Sequence, residues 1–224
     1  MSLETTPNFH RVVAIDGPAA SGKSTVSRQV ASRLGFVYVN SGAMYRAVTW
    51  AVLEAGVDPS NAGAVRQCVD GLKIDCTLET DANGQPLSVV KINGVDPGDA
   101  LRSETVNASV SPVASVPEVR SVLVARQRDY ATVSDIVMEG RDIGSVVFAD
   151  TPYKFFLDAA EEVREARRQA EGGFDPISER DRQDSARKAS PMVVADDAVV
   201  VDTSEMEIDQ VVEHIESLLR DKGL

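Results

Sequence analysis

The sequence predicts an α/β fold of three layers, a five-stranded parallel sheet with helices on both faces. Three observations predict it. Five short apolar runs, "RVVAID", "FVYVN", "DIVMEG", "KFFLDA" and "AVVVDT", each end in polar or small residues. Helical patterns separate most of them, the alternation of parallel strands joined by crossover helices. The first run also passes through a small-residue loop, "AIDGPAASGKST", directly into a helical pattern.

In chain order, Val12-Val13-Ala14-Ile15 reads as a buried strand, and Val26, Val30, Ala31 and Leu34 recur at helical spacing. Between them Gly17, Pro18, Ala19, Ala20, Ser21, Gly22, Lys23, Ser24 and Thr25 contain the spacing G-x-x-x-x-G-K-[ST]. Small residues there let successive backbone N–H groups curl around an anion, and the following helix turns its positive end to the same point. Lys23 supplies a mobile charge, and the Ser24 hydroxyl suits a magnesium ion. Gly-Pro and Ser-Gly pairs are also ordinary turn formers. With a strand before and a helix after, the reading is a P-loop that binds nucleotide phosphates. The remaining runs follow, and ligands in such sheets gather at the carboxyl ends of the strands. Those ends are Asp16, Asn40-Ser41-Gly42, Glu139-Gly140-Arg141-Asp142 and Asp158. The last helix carries one apolar stripe, Ile208, Val211, Val212, Ile215, Leu218 and Leu219, and is assigned to packing.

Two segments break this rhythm. Between residues 61 and 102, "LKIDCTLET" and "LSVVKING" read as strands around a turn containing Asn83-Gly84, a hairpin signal. This predicts an antiparallel insert, with an edge extension of the main sheet as its alternative. Between residues 169 and 189, "EGGFDPISERDRQDS" has the glycines and proline of a mobile lid. The expected organisation is a core of residues 1–60, 103–168 and 190–224, an insert at 61–102 and a lid at 169–189.

A formal net charge of −12 argues against a nucleic-acid polymer as partner. Phosphate must then be met locally, and ten arginines from Arg120 to Arg187 supply the means. No run approaches the roughly 18 apolar residues of a membrane span, and "MSLETTPNFHR" has no apolar signal segment, so a cytoplasmic protein is expected. Cys68 and Cys76 lack metal-site or C-x-x-C spacing and read as small apolar residues rather than a disulfide. His10 and His214 lie in the tail and among glutamates of the last helix.

The absence of [NT]-K-x-D argues against a signalling GTPase. An acid of the Walker-B kind is ambiguous between Glu139, Asp142 and Asp158, and Arg141 beside it suggests a second anion. "GPAASGKST", "NSGAMYR", "GRDIGSVVF", "KFFLDA" and "ERDRQDSARKASPM" occur in this order. In that series the chain resembles bacterial cytidylate kinases, P-loop nucleoside-monophosphate kinases, over nearly its whole length.

The resemblance implies transfer of the γ-phosphoryl of ATP to CMP or dCMP, giving CDP or dCDP and ADP, with Mg2+. It implies a P-loop core, a monophosphate-binding insert and a lid over ATP. Carried over residue by residue, the loop from Gly17 to Thr25 binds ATP and Ser24 holds the metal. Arg46, Arg141 and Arg187 hold the acceptor phosphate beside Ser41 and Tyr45. Ser111, Arg120 and Asp142 face the cytosine, and Arg180 and Asp184 reach the ribose. Lys23, Arg141 and Arg187 are the expected catalytic residues, and a monomer is expected. Arginine suits this chemistry because its planar fork meets two phosphate oxygens and stays charged.

Some positions have two readings. Arg180, Asp184 and Arg187 share a helical face, which serves either the site or solvent. Arg164, Arg167 and Arg168 form a similar face, directed to ATP phosphates or to water. Tyr45 and Met44 continue a core stripe as well as the motif. Asn40 departs from the aspartate frequent in relatives, and the stretch from Gln169 to Ser178 is shorter than in some of them. Kinases of the same fold with other acceptors, and a nucleotide-sensing protein that turns over little, are the competing functions.

Overall fold

The computed structural model describes residues 9–80, 84, 86–170, 177–187 and 190–224, and side chains at 177–180 are outside that description. Asn83 and part of the expected lid therefore lie outside the described residues. The chain runs β1 (Val12–Asp16), α1 (Lys23–Leu34), β2 (Val37–Asn40), α2 (Ser41–Glu54), α3 (Ala62–Asp70), β3 (Ile74–Thr80) and β4 (Pro86–Ile92). It continues α4 (Glu104–Ala114), α5 (Pro117–Tyr130), β5 (Ile136–Gly140), β6 (Tyr153–Asp158), α6 (Glu161–Ala170), α7 (Ile177–Ser185), β7 (Val199–Asp202) and α8 (Ile208–Asp221). A π turn, Ile143–Val147, follows β5.

The strand order is β3-β4-β2-β5-β1-β6-β7. The five predicted runs are β2, β5, β1, β6 and β7, all parallel. β3 and β4 form the antiparallel hairpin, and β4 also meets β2 in parallel through the pair Tyr38↔Leu87. The hairpin thus extends the main sheet to seven strands. Its apolar residues explain why: Ile74, Val90 and Ile92 are buried in the same cluster as Val37 and Val39, and a hairpin standing apart would leave them wet.

Alternation along β1 divides the core. Val12 and Ala14 face a cluster built with α2, α3, α4 and α5, while Val13 and Ile15 face one built with α1 and α8. In the second cluster Val211, Val212, Ile215 and Leu219 pack with Val26 and Val30 of α1. Each such side chain contributes about 1.5–3 kcal/mol on burial, so the predicted stripe on α8 holds the helix that begins at the glycine-rich loop. Cys68 and Cys76 are free thiols beside the first cluster, and burial pushes the Cys76 thiol up to about 11. Among the described residues no helix is long and apolar enough to cross a membrane.

The parallel register sets β1, β2 and β5 level, with Asp16 beside Gly140 and Asn40 beside Glu139. Their carboxyl ends therefore discharge into one place.

Candidate active site

The cleft begins where β1 ends. Gly17 has φ +152°, and a Cβ there would lie 2.1 Å from the Leu157 carbonyl oxygen of β6, so the loop passes directly against backbone. Gly22 has φ +85° and opens α1. Lys23 is buried and curls back, its Nζ donating to the Pro18 carbonyl at 2.7 Å. Ser24 Oγ donates to Glu139 Oε2 at 2.7 Å, and Tyr38 Oη donates to Glu139 Oε1 at 2.5 Å. Asn40 supports this group. Its Oδ1 accepts from the Ala43 N–H at 2.9 Å, capping α2, which leaves its Nδ2 to donate to Tyr38 Oη at 3.3 Å.

The arginines of α6 divide their tasks. Arg164 donates to the Ala19 carbonyl at 3.1 Å and pairs with Asp181 of α7, whose other oxygen accepts from the Ala19 N–H at 2.9 Å. Arg167 donates to Thr203 Oγ1 at 3.0 Å and to the Thr203 carbonyl at 2.7 Å. Arg168 reaches the cleft wall.

At the start of α2, Ser41 Oγ donates to the Glu139 carbonyl at 2.6 Å, tying the first turn of α2 to β5. Arg46 lies over Gly42, where a Cβ would be 3.1 Å from its Nη1. Tyr45 is both a core residue and part of the wall. The Arg120 guanidinium stands 5.3 Å from its ring centroid, and burial pushes the phenol up to about 12, so it stays protonated. Val110, Ser111 and Ala114 share one face of α4 toward the same space.

Arg141 and Asp142 leave β5 in opposite directions. Arg141 donates from Nε to Asp184 at 2.8 Å and from Nη1 to the Gly17 carbonyl at 3.0 Å, joining α7 to the loop. Asp184 also pairs with Arg187, so one buried carboxylate holds two guanidiniums. Asp142 pairs with Arg120, and both are buried. Burial raises the Asp142 carboxyl above its ordinary range while Arg120 opposes the rise.

These groups enclose a cleft of about 970 Å³, its open mouth included. Of the predicted residues, Ala19, Ala20, Lys23, Ser24, Ser41, Tyr45, Arg46, Ser111, Arg141, Asp142, Asp184 and Arg187 line it. Gly17, Pro18, Ser21, Gly22 and Thr25 do not. Ser21 offers its carbonyl to Thr203, and Gly22 faces Ile208 and Arg167 on the far side of the loop. Arg120 stands behind Asp142, and the Arg180 side chain is outside the described residues. The structure adds Asn40, Gly42, Val110, Ala114, Glu139, Gly140 and Arg168 to the wall. Among these, Glu139 was one of three candidate acids at strand ends, and its hydrogen bond from Ser24 singles it out.

The wall holds five cationic side chains (Lys23, Arg46, Arg141, Arg168, Arg187) against three anionic ones (Glu139, Asp142, Asp184), in a chain of net charge −12. Among the described residues, Nε of Arg120 behind the cleft and Nε of Arg187 in its wall are buried and lack a hydrogen-bond partner. Leaving such a donor unmet costs about 1–3 kcal/mol, and at Arg187 it adds to the cleft's cationic side chains a donor suited to an anionic, acceptor-rich ligand.

Comparison with known proteins identifies the family. The family model described as cytidylate kinase matches residues 13–221. The bifunctional pantoate ligase/cytidylate kinase of Synechococcus sp. (strain CC9311) is 45% identical over 221 residues, which cover 93% of this chain and 44% of that protein. The chain thus spans under half the length of such bifunctional relatives. The cytidylate kinase of Mycobacterium avium (strain 104) is 44% identical over 224 residues, 95% of this chain and 96% of that one. A solved shikimate kinase from Acinetobacter baumannii aligns at 12% identity with a TM-score of 0.47, covering 96% of each chain. With a match along residues 13–221 and relatives at this identity along nearly its full length, the chain belongs to the cytidylate kinase family.

Proposed function

We propose that the protein transfers the γ-phosphoryl of ATP to CMP or dCMP, giving CDP or dCDP and ADP, as a cytoplasmic monomer in pyrimidine nucleotide metabolism. The observation that carries this reading is the meeting of a P-loop with Arg46, Arg141 and Arg187 across one cleft, with the buried Arg120–Asp142 pair at its edge.

On this reading the loop from Gly17 to Thr25 cradles the phosphates of ATP, and Lys23 leaves the Pro18 carbonyl to follow the charge of the migrating group. Arg46, Arg141 and Arg187 orient the acceptor phosphate, whose oxygens are already ionised near neutral pH, so no general base is needed. Phosphoryl transfer spreads charge over the moving group, and these side chains act through position and cationic stabilisation. Arg141 is central because it touches the donor loop at Gly17 and the lid at Asp184. Ser41 and Tyr45 flank the acceptor phosphate, while Ser111, Arg120 and Asp142 read the cytosine. A carboxylate that accepts from an exocyclic amino group rejects a base bearing a carbonyl there. The ribose is assigned to Arg180 and to Asp184, which already shares its carboxylate between two guanidiniums.

Among the described residues no group of three or more His, Cys, Asp or Glu side chains is placed to hold a metal. A magnesium ion that keeps waters and nucleotide phosphates needs only one or two protein oxygens. Ser24 Oγ and Glu139, 2.7 Å apart, are hard oxygen donors that fit it. Bound there, magnesium would neutralise charge on the donor phosphates. The test is chromatographic: incubation with ATP, CMP and magnesium should yield equal CDP and ADP. ADP without CDP, or no turnover, would refute the proposal.

A further inference from the structure

Asp16 closes β1 one residue before the glycine-rich loop, and its side chain is buried at 5% exposure. Its Oδ1 accepts from the Ile143 N–H at 2.8 Å and its Oδ2 from the Gly144 N–H at 2.7 Å. These are the first N–H groups of the π turn after Arg141-Asp142, donors with no carbonyl partner inside the turn. Asp142 occupies the position from which a carboxylate ordinarily caps its own turn, yet makes no such bond because it is committed to Arg120. A carboxylate 126 residues earlier in the chain does the capping instead.

We propose that Asp16 is a positioning residue: by clamping the Ile143 and Gly144 amides to the end of β1, it releases Asp142 toward Arg120 and the acceptor base and holds Arg141 at a set distance from the donor loop. This rests on the functional reading above and adds to it a residue that touches neither nucleotide.

Its surroundings show that the clamp is maintained at a cost. Burial is the main influence on Asp16 and raises it to about 6, more than the two amides pull it down. Asp142 raises it further, and Lys23 favours the ionised form by less than burial opposes it. Lys154 packs its stem against Gly144, but its ammonium is taken by Asp197 and the Ala149 carbonyl. A fold needing only a cap would do better with a neutral side chain. Two oxygens that both accept serve a segment that must not turn.

Asp16→Asn preserves size but presents an NH2 to one of the two amides. Steady-state kinetics should show KM for CMP raised about 10-fold or more with KM for ATP changed less than about 3-fold, from the loss of a charge-assisted hydrogen bond. Equal changes in both, or none, in a folded variant would overturn the proposal. Amide exchange gives an arm independent of the reaction. Ile143 and Gly144 should lose protection selectively in the variant, and retained protection would overturn the clamp even if the protein proved to have another substrate. If Asp16→Asn does not fold, Gly144→Ala asks the same question from the other side. Its Cβ would lie 3.2 Å from Lys154 Cγ and 3.5 Å from Asp16 Oδ2, and the same KM split is expected. Wild-type turnover without CMP dependence would count against the functional reading, whereas a missing KM split in a CMP-dependent enzyme would count against Asp16 alone.

Discussion

Replacing Gly17 with alanine puts a methyl carbon 2.1 Å from the Leu157 carbonyl oxygen, where ordinary contact begins at 3.4 Å. The obstacle is backbone of β6 in its pairing with β7, Leu157 being fully buried, so the loop must give way by more than an ångström. Its φ of +152° adds conformational strain for any L side chain. The stability cost should be about 1–3 kcal/mol, or roughly 3–10 °C in Tm for a chain of this size. The catalytic cost should be larger in proportion. The Gly17 carbonyl also accepts from Arg141 at 3.0 Å, so the displacement moves the loop and Arg141 together. A misplacement of about 1 Å can cost on the order of 10²-fold in rate, and that is the fall expected in kcat/KM for ATP in a coupled ADP-release assay. Gly56→Ala is the control. That residue has φ +68° with nothing within 4 Å of a Cβ, so it should lose stability and keep its rate. Activity of Gly17→Ala within about threefold of wild type would refute the reasoning that this glycine is kept for the approach of the loop to β6.

Other substitutions test other parts of the account. Lys23→Ala and Arg141→Ala should each lower single-turnover rates on the order of 10³-fold, by analogy with the loss of a phosphate-stabilising arginine, while urea midpoints stay near wild type. Asp142→Ala strands the buried Arg120 charge, so chemical denaturation should show a loss of about 3–5 kcal/mol; discrimination of CMP from UMP should fall at least about 10-fold in competition assays. Asp16 gives a pH prediction with a definite sign. Because the folded carboxyl is raised from 3.8 to about 6, the folded state binds its proton more tightly than the unfolded chain does. That contribution is fully present below the unfolded value and lost as pH rises through about 6. Urea titrations from pH 4 to 7 should therefore show the stability of wild type relative to Asp16→Asn declining by on the order of 2–3 kcal/mol.

What could be read in the sequence was what short spacing determines. The loop from Gly17 to Thr25, the five parallel strands and the stripe on α8 each arise from residues within one or two turns of one another. The hairpin was readable for the same reason, while its attachment to the main sheet stood only as the alternative to an insert, and its pairing with β2 did not follow from local pattern. That depends on Ile74, Val90 and Ile92 finding a shared core with residues 37 and 39. Convergence of the strand ends followed from topology, which is why most of the expected residues line one cleft. Individual partners did not follow. The face of Arg164, Arg167 and Arg168 was visible as a face, yet its members go respectively to the loop and Asp181, to Thr203 and to the cleft. Asp181 meets the Ala19 amide across 162 positions of sequence, and no local pattern announces such a contact. Asn40 looked like a lost charge. In the fold its amide caps α2 and donates to Tyr38, two tasks that a carboxylate cannot perform together.

The central claim is that this cleft presents a cytidine or deoxycytidine monophosphate to ATP, and rates of ATP consumption with CMP, dCMP, UMP, AMP and no acceptor test it most directly. The account predicts magnesium-dependent turnover that is highest with CMP and dCMP, much lower with UMP and AMP, and negligible without an acceptor. Turnover indifferent to the base, or tight ATP binding with no acceptor-dependent turnover, would contradict the roles given to Arg120, Asp142 and the phosphate-facing arginines.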